Sequence, residues 1–188
     1  MAVLAGLLLG IIRAWYGKRS FSIPELQAVW LALVAFAPQW VVFYLPLTRR
    51  AATVELASAA LIISQVLLLL FSLLNRKQRA FCALGLGLVL NLLVIALNGG
   101  LMPVSPETLA QMRLDRPVDT LQIGERVGGS KDILLPADQT RFAWLSDRFL
   151  LPNWFPYQAA FSLGDVLIVI GAFWLLWSAG GPKQEQVI

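Results

Sequence analysis

The chain contains no histidine and a single cysteine, Cys82, among its 188 residues. Without histidine it cannot build a histidine-ligated haem, the usual zinc sites, or a nucleophile activated by an imidazole. A lone cysteine cannot form an internal disulfide, and Cys82 is interpreted as a small hydrophobe within an apolar run. Any catalysis must therefore use carboxylates, hydroxyls, lysines or the backbone. We expect no metal and no cofactor.

Charge is also scarce, since only 14% of the residues are charged and 58% are hydrophobic. This composition is typical of an integral membrane protein, so the lipid bilayer is the first expected partner. The formal net charge of +4 comes from lysines and arginines that cluster in short links beside apolar runs. Such clusters are topology signals of membrane proteins. Nucleic acid is therefore not an expected partner.

Apolar runs divide the chain into candidate membrane spans separated by charged links. The first is interpreted as a retained helix rather than a signal peptide, because no basic leader or small-residue cleavage site accompanies it. Pro38 predicts a kink in the second. The pattern predicts an all-α integral membrane fold with five transmembrane helices, at residues 2–16, 26–47, 55–74, 80–98 and 159–178.

The chain is thereby divided into four parts. Residues 1–98 form a four-helix membrane region, 99–156 a loop domain, 157–179 the fifth helix, and 180–188 a tail. The links at 13–19 and 76–79 each carry three basic residues, whereas the link at 49–50 carries two. Positive charge favours the cytoplasmic side. We therefore expect a membrane protein with its N-terminus and large loop outside and its C-terminus in the cytoplasm.

The loop domain is too long to be structureless and carries half of the charged residues. Ser105-Pro106-Glu107 predicts the start of a short helix that ends near Met112. Two brief strands, at 119–123 and 131–135, are expected to form a hairpin around Gly128-Gly129. Asp138 is expected to begin a second, amphipathic helix in which Phe142, Leu145 and Phe149 share one face.

Two aspartates give the strongest chemical suggestion in the sequence. Asp165 lies inside the last apolar run, where a carboxylate costs roughly 2.5–3.5 kcal/mol at a helix centre and less near an end. Asp147 lies 18 positions upstream in the loop domain. If the two carboxyls meet at the outer surface of the membrane, they share a proton and can activate water as an acid and a base.

Simpler explanations exist for each of these residues. Ser162-Leu-Gly-Asp165 fits a capping box, in which both side chains satisfy backbone donors at a helix start. Asp147 can be a solvated acid paired with an arginine. Asn98 is followed by two glycines, which commonly end helices. Ser130-Lys131 is not expected to form a catalytic pair, because neighbouring residues of a strand point to opposite faces.

Part of the sequence resembles signal peptidase II, the aspartyl peptidase of lipoprotein signal peptides. Residues 161–171 align with its final-helix motif F-N-x-A-D-x-x-I-x-x-G, with Ser162 in place of Asn and Gly164 in place of Ala. Asp147, followed by Phe149, stands near the position of the family's other catalytic aspartate. The resemblance implies a catalytic pair of Asp147 and Asp165. That family has four spans, whereas five are expected here.

The chain as a whole more closely resembles a family of bacterial multi-pass membrane proteins that has no assigned function. That family is marked by N-G-G-x-M-P-V, here Asn98 to Val104, and by S-x-G-D-x-x-I-x-x-G, here Ser162 to Gly171. The resemblance implies a shared membrane fold but no activity.

Two functions of different kinds follow. The first is an intramembrane aspartyl endopeptidase that cleaves a membrane-anchored peptide or lipoprotein with Asp147 and Asp165. In this function Asn98, Arg148 and Ser162 orient the aspartates or the substrate. The second is a non-enzymatic accessory or assembly subunit that binds a partner membrane protein. A transporter is less favoured, because the interiors of the other spans contain no acidic or basic residue.

Overall fold

The computed structural model describes residues 2–18, 20–112, 120–152, 154–155 and 158–181, and most of them are helical. Seven α-helices and four short strands have defined bounds within these ranges. The helices are α1 Ala2–Tyr16, α2 Val29–Gln39, α3 Pro46–Arg49, α4 Val54–Leu74, α5 Arg79–Leu97, α6 Pro106–Ala110 and α7 Leu163–Ala179. The strands are β1 Met102–Val104, β2 Asp132–Leu134, β3 Phe149–Leu150 and β4 Ala160–Phe161.

Within the described ranges, two helices are long and apolar enough to cross a membrane, namely α4 with 21 residues and α5 with 19. Three shorter apolar helices accompany them, at Ala5–Tyr16, Val29–Tyr44 and Leu163–Ala179. The mostly helical fold is therefore confirmed, whereas only two of the five expected spans have the length of a membrane helix. The last is shorter than expected because its first residues form β4 and the cap of α7.

The second apolar run is shortened at its start and distorted near its end. Its helix begins at Val29 rather than at residue 26, because Ala28 adopts a left-handed conformation with φ 51°. Pro38 lies inside α2 and cannot donate a backbone hydrogen bond. A π-helix over Trp40–Tyr44 follows it directly. The distortion predicted at Pro38 thus occurs as a change of helix type within the next turn.

Five of the helices lie side by side in the order α2, α4, α5, α7, α1. α2 and α4 are antiparallel, since the amide N–H of Gln27 donates to Asn75 at 2.8 Å while Gln39 donates to Ser64 at 2.7 Å. Ser72 reaches the carbonyl of Phe81 at 2.9 Å, which joins the end of α4 to the start of α5. Helices α2, α4 and α5 therefore alternate in direction.

Helices α5 and α7 are antiparallel and approach closely at glycines. A Cβ on Gly87 would lie 2.5 Å from the carbonyl oxygen of Gly164, and a Cβ on Gly171 would lie 2.8 Å from that of Ala80. α1 runs parallel to α7, because Gly6 lies against Phe173 and Gly10 against Leu176. Small residues at helix contacts allow such backbone approach in membrane proteins.

We expect Gly87→Val to lower the free energy of unfolding by about 1–3 kcal/mol, because an added side chain must push α5 away from α7. Chemical unfolding of the protein in detergent micelles measures the change. Leu86→Ile is the matched control, since Leu86 is 53% exposed. Its stability should stay within about 0.5 kcal/mol of the wild type. If Gly87→Val were as stable as this control, α5 and α7 would not be in close contact at Gly87.

The loop domain is organised around β1, which is buried along its whole length. β2 pairs with it in parallel, with Met102 opposite Asp132 and Val104 opposite Leu134. Asp147 forms a parallel bridge with Val104. β3 and β4 pair antiparallel, with Phe149 opposite Phe161, and lead directly into α7.

Two predictions for the loop domain need correction. The turn at Gly128-Gly129 does join two paired arms, but the first arm is 124–127 rather than 119–123. Residue 119 lies outside the described residues. The helix expected from Asp138 is absent from the described residues 138–150, which hold only a 3₁₀ turn at Ala143–Leu145 before β3. Phe142 adopts a left-handed conformation, and Phe149 belongs to β3, so the predicted apolar face does not form. The short helix predicted after Ser105 is confirmed as α6.

Candidate functional site

Asp165 occupies the first turn of α7 and completes a capping box with Ser162. The Ser162 hydroxyl accepts a hydrogen bond from the backbone N–H of Asp165 at 3.0 Å. In return, Oδ2 of Asp165 accepts from the N–H of Ser162 at 3.1 Å. The carboxylate also faces the positive end of the helix dipole. The capping explanation for Ser162 and Asp165 is therefore correct, and Ser162 is fully buried.

Asn91 of α5 joins this cap from the neighbouring helix. Its Nδ2 donates to Oδ1 of Asp165 at 2.8 Å, and its Oδ1 accepts from the Ser162 hydroxyl at 2.9 Å. We call the set of Asn91, Ser162 and Asp165 the cap triad. Both oxygens of Asp165 thus accept hydrogen bonds, and the cap of α7 is fastened to α5. Asn91 was not selected as a site residue from the sequence.

Asp147 lies beside β1, not at the end of a helix. Its backbone N–H donates to the carbonyl of Pro103 at 3.1 Å. The side chain has no exposed surface. Oδ1 is buried and accepts no hydrogen bond from any described residue. The alternative of a solvated acid paired with an arginine is therefore wrong, because Asp147 is buried and its ionic partner is a lysine.

Lys131 is that partner, and it reaches Asp147 across β1. The N–H of Met102 donates to the carbonyl of Lys131, while Asp147 binds the other edge of β1. The ammonium contacts Oδ2 of Asp147 at 2.6 Å and Oδ1 of Asp132 at 3.3 Å. The Lys131 side chain is 37% exposed. Sequence reasoning considered Lys131 only as a partner of Ser130, and it did not select Asp132.

Two carboxylates contact one ammonium group in this site, and the charge of Asp165 acts on both Asp147 and Lys131. We call Lys131, Asp132, Asp147 and Asp165 the acid–lysine cluster. Burial raises the pKa of Asp147, the positive charge of Lys131 lowers it, and the negative charges of Asp132 and Asp165 raise it. Together these effects give Asp147 a pKa of about 8. Burial disfavours the charged form of Lys131, but the three carboxylates outweigh it and raise its pKa above the usual range. Burial and the two neighbouring carboxylates thus favour the protonated form of Asp147, whereas contact with Lys131 favours its ionised form.

Different elements of the fold thus hold the two predicted catalytic aspartates. Asp165 acts on Asp147 through its charge. No hydrogen bond joins the two carboxyls in the described part of the chain. Lys131 contacts Asp147, while the cap triad holds Asp165.

The side chains of the other two predicted supporting residues, Asn98 and Arg148, make no hydrogen bond to Asp147 or Asp165 in the described structure. Asn98 ends α5, where its Nδ2 donates to the carbonyl of Arg141 at 2.9 Å and its Oδ1 accepts from the N–H of the same residue at 2.8 Å. It therefore fastens the loop domain to α5. Arg148 is exposed and lies 5.9 Å from the ring of Phe149. Of the predicted supporting residues, only Ser162 contacts a predicted catalytic aspartate in the described structure.

A cleft of about 970 Å³ opens beside the cluster, and Lys131 and Asp132 form part of its wall. Its other charged lining residues are Arg49, Arg50 and Arg126, so the lining carries four cations and one carboxylate. The remaining wall is mainly apolar. Among the described residues, no group of three or more His, Cys, Asp or Glu is arranged to hold a metal ion.

The sequence matches DUF5317, a family described as being of unknown function, over residues 24–177. The chain belongs to this family. An uncharacterized protein of Thermotoga maritima is 32% identical over 116 residues. This alignment covers 59% of the chain and 58% of the relative, so the chain spans less than two thirds of the relative's length. No solved structure matches the chain.

These matches confirm the resemblance to a family without an assigned function. Neither the family nor the relative is described as a signal peptidase. The acid–lysine cluster and the cap triad both lie within the residues that match DUF5317.

Proposed function

We propose that the chain spans the bacterial cytoplasmic membrane five times and carries its loop domain on the outer side. The alternating directions of α1, α2, α4, α5 and α7 support this topology, because consecutive spans must cross in opposite directions. Large apolar side chains on the outside of the bundle also support it, since Trp30, Leu33 and Phe36 are each at least 60% exposed. A bilayer would cover such a surface.

The orientation rests on the basic residues. Arg13, Arg76 and Lys77 lie at the end of the bundle opposite the loop domain, which favours that end as cytoplasmic. A reporter fused to the C-terminus should therefore read as cytoplasmic, and one inserted at Gly129 should read as external. Accessibility of a single introduced cysteine to an impermeant reagent is an independent measurement. The reverse pattern would place the acid–lysine cluster at the inner surface and contradict the proposed orientation.

We propose further that the acid–lysine cluster is the catalytic site of an aspartyl endopeptidase. The observation that carries this proposal is the buried carboxyl of Asp147, whose pKa is raised to about 8 beside Lys131 and within the field of Asp165. Hydrolysis by two aspartates needs one protonated and one ionised carboxyl at the same pH. Burial of Asp147 favours its protonated form.

In the proposed reaction, Asp165 takes a proton from a water molecule as its oxygen attacks the peptide carbonyl carbon. Asp147 gives its proton to the carbonyl oxygen, which forms a tetrahedral diol. The diol then collapses to a carboxylic acid: the C–N bond breaks, the proton held by Asp165 passes to the leaving amine, and one diol hydroxyl returns its proton to Asp147. Lys131 stabilises the carboxylate that Asp147 becomes. The substrate would be a membrane-anchored peptide or lipoprotein.

The test is cleavage of membrane-anchored reporter peptides by the purified protein in lipid vesicles. We expect cleavage on the loop side of the membrane, at a rate that falls above about pH 8 as Asp147 loses its proton. A catalyst that used only ionised carboxylates would instead keep its rate above that pH. Such a profile, or the absence of any cleavage by the wild type, would contradict the peptidase.

The second candidate is a non-enzymatic accessory or assembly subunit. The cap triad favours it, because both oxygens of Asp165 already accept hydrogen bonds. Asn91 donates to one and joins α5 to α7, while the N–H of Ser162 donates to the other within the cap. In this function Asp165 and Asp147 hold the loop domain and the helices in a fixed arrangement that a partner membrane protein recognises. Co-purification from membranes with a stoichiometric partner, without peptide cleavage, would favour it.

A further inference from the structure

The cleft beside Lys131 has a chemical character that the proposed peptidase does not require. It lies between the loop domain and the ends of α2 and α4, where the apolar helices give way to charged residues. Phe43, Leu109 and Met112 contribute apolar wall, whereas Arg49 and Arg50 come from the end of α3. The cleft is therefore lined by both apolar side chains and cations.

Two of the cations make at most one hydrogen bond to the rest of the described protein. Arg50 is exposed and makes no hydrogen bond or ion pair with the described residues. Arg49 makes one long hydrogen bond, from its guanidinium to the carbonyl of Gly128 at 3.3 Å. Neither faces a carboxylate partner, because the one lining acid, Asp132, is already held by Lys131 and by Ser130 at 3.0 Å.

The third arginine is built into the wall. Arg126 donates to the carbonyls of Ser130 and Gly129 at 2.6 Å each, and its guanidinium lies 4.9 Å from the centre of the Phe43 ring. Burial, together with the nearby charge of Arg49, lowers the pKa of Arg126. The charges of Arg49 and Arg126 thus repel each other, and an anion bound near them would relieve this repulsion.

We propose that this cleft binds a phosphate-bearing amphiphile, with the phosphate between Arg49 and Arg50 and an acyl chain along the apolar wall. A volume of about 970 Å³ is far larger than a phosphate ion needs, and cavities of roughly 300–1,000 Å³ typically hold organic ligands. Arginine is well suited to the anion because its planar fork matches phosphate oxygens. An anionic phospholipid of the surrounding leaflet supplies both parts.

The test uses the purified full-length protein in a neutral detergent, with thermal unfolding followed by tryptophan fluorescence. We expect phosphatidylglycerol to raise the unfolding temperature in a concentration-dependent way, because a ligand that binds only the folded state stabilises it. Phosphatidylcholine should have a much smaller effect, since it carries no net charge. Glycerol phosphate and inorganic phosphate, which lack the chain, should require much higher concentrations.

The variants compare equal losses of charge at opposite ends of the bundle. Arg49→Gln with Arg50→Gln should weaken phosphatidylglycerol binding by roughly fivefold for each arginine removed. Arg76→Gln with Lys77→Gln is the matched control and should bind as the wild type does. Arg50→Gln alone breaks no contact with the described residues, so it gives a valid result even if the double variant unfolds.

Three results would overturn the proposal. Equal weakening by the two double variants would show that the lipid responds to overall charge. Equal stabilisation by phosphatidylglycerol and glycerol phosphate would show that the apolar wall holds no chain. No stabilisation by phosphatidylglycerol would show that the cleft takes a different ligand.

Discussion

Lys131→Met should lower the free energy of unfolding by about 2–3 kcal/mol at pH 9, and by much less at pH 6. At pH 9 the buried carboxyl of Asp147 is ionised and loses the ammonium that lies 2.6 Å away. The expected loss is below the usual cost of breaking a fully buried pair, because 37% of the Lys131 side chain is exposed. At pH 6 Asp147 holds a proton, so little charge is left unpaired.

The control for Lys131→Met is the double variant Lys131→Met with Asp147→Asn, which removes both charges. It should recover most of the stability lost at pH 9. Chemical unfolding in detergent at both pH values measures all three proteins. An equal loss at pH 6 and pH 9, or no recovery in the double variant, would show that Lys131 does not serve to balance Asp147.

The wild type should show a related dependence on pH. The pKa of Asp147 is about 8 in the folded protein and about 3.9 in an unfolded chain, so the folded state binds the extra proton between these values. This contribution is fully present below about pH 4 and is lost as the pH rises through about 8. Lys131 stays charged across this window because its pKa is raised, so its contribution does not change there.

Asp147→Asn and Asp165→Asn should each reduce peptide cleavage by about 10²–10⁴-fold, because each removes a proton-transfer group. Both substitutions preserve shape. Asn at 165 can still accept from the N–H of Ser162, so its cost to stability should be only about 0.5–2 kcal/mol. Cleavage of the reporter peptide and chemical unfolding must be measured on the same preparations.

Asp132→Asn is the matched control for these two variants. Asp132 belongs to the same cluster and contacts Lys131, but it is assigned no proton transfer. It should therefore keep most of the cleavage activity. If Asp165→Asn loses stability but leaves cleavage unchanged, Asp165 is a cap alone and the accessory subunit becomes the better function. If Asp132→Asn is as inactive as Asp147→Asn, the loss reflects charge balance rather than a catalytic pair.

The helical parts of the fold could be predicted well because apolar runs define them almost alone. The expected limits of the third and fourth runs agree with α4 and α5 to within a residue. The start of the second could not be predicted, since it depends on the left-handed Ala28 and on Asn75 of another helix. No local pattern near residue 26 indicates the contact between Gln27 and Asn75, which are 48 positions apart.

The candidate site shows the same limit. The capping box of Ser162 and Asp165 was predicted because both residues lie within one turn of sequence. Asn91 and Lys131 were not assigned to the site, because the packing of α5 on α7 and the pairing of β2 with β1 bring them there. Phe142, Leu145 and Phe149 had the spacing of a helix face, but neighbouring strand pairs determined their structure instead.

Asp147 is expected to keep its proton near neutral pH, and the proposed catalysis depends on this proton. The most direct measurement is the carboxyl ¹³C chemical shift of labelled aspartates during a pH titration, with Asp147→Asn to assign the signal. We predict one carboxyl that titrates near pH 8 and disappears in the variant. If the Asp147 signal instead titrates at or below about pH 4, as an unperturbed aspartate does, the carboxylate is fully neutralised by Lys131 and the site holds no acid for catalysis.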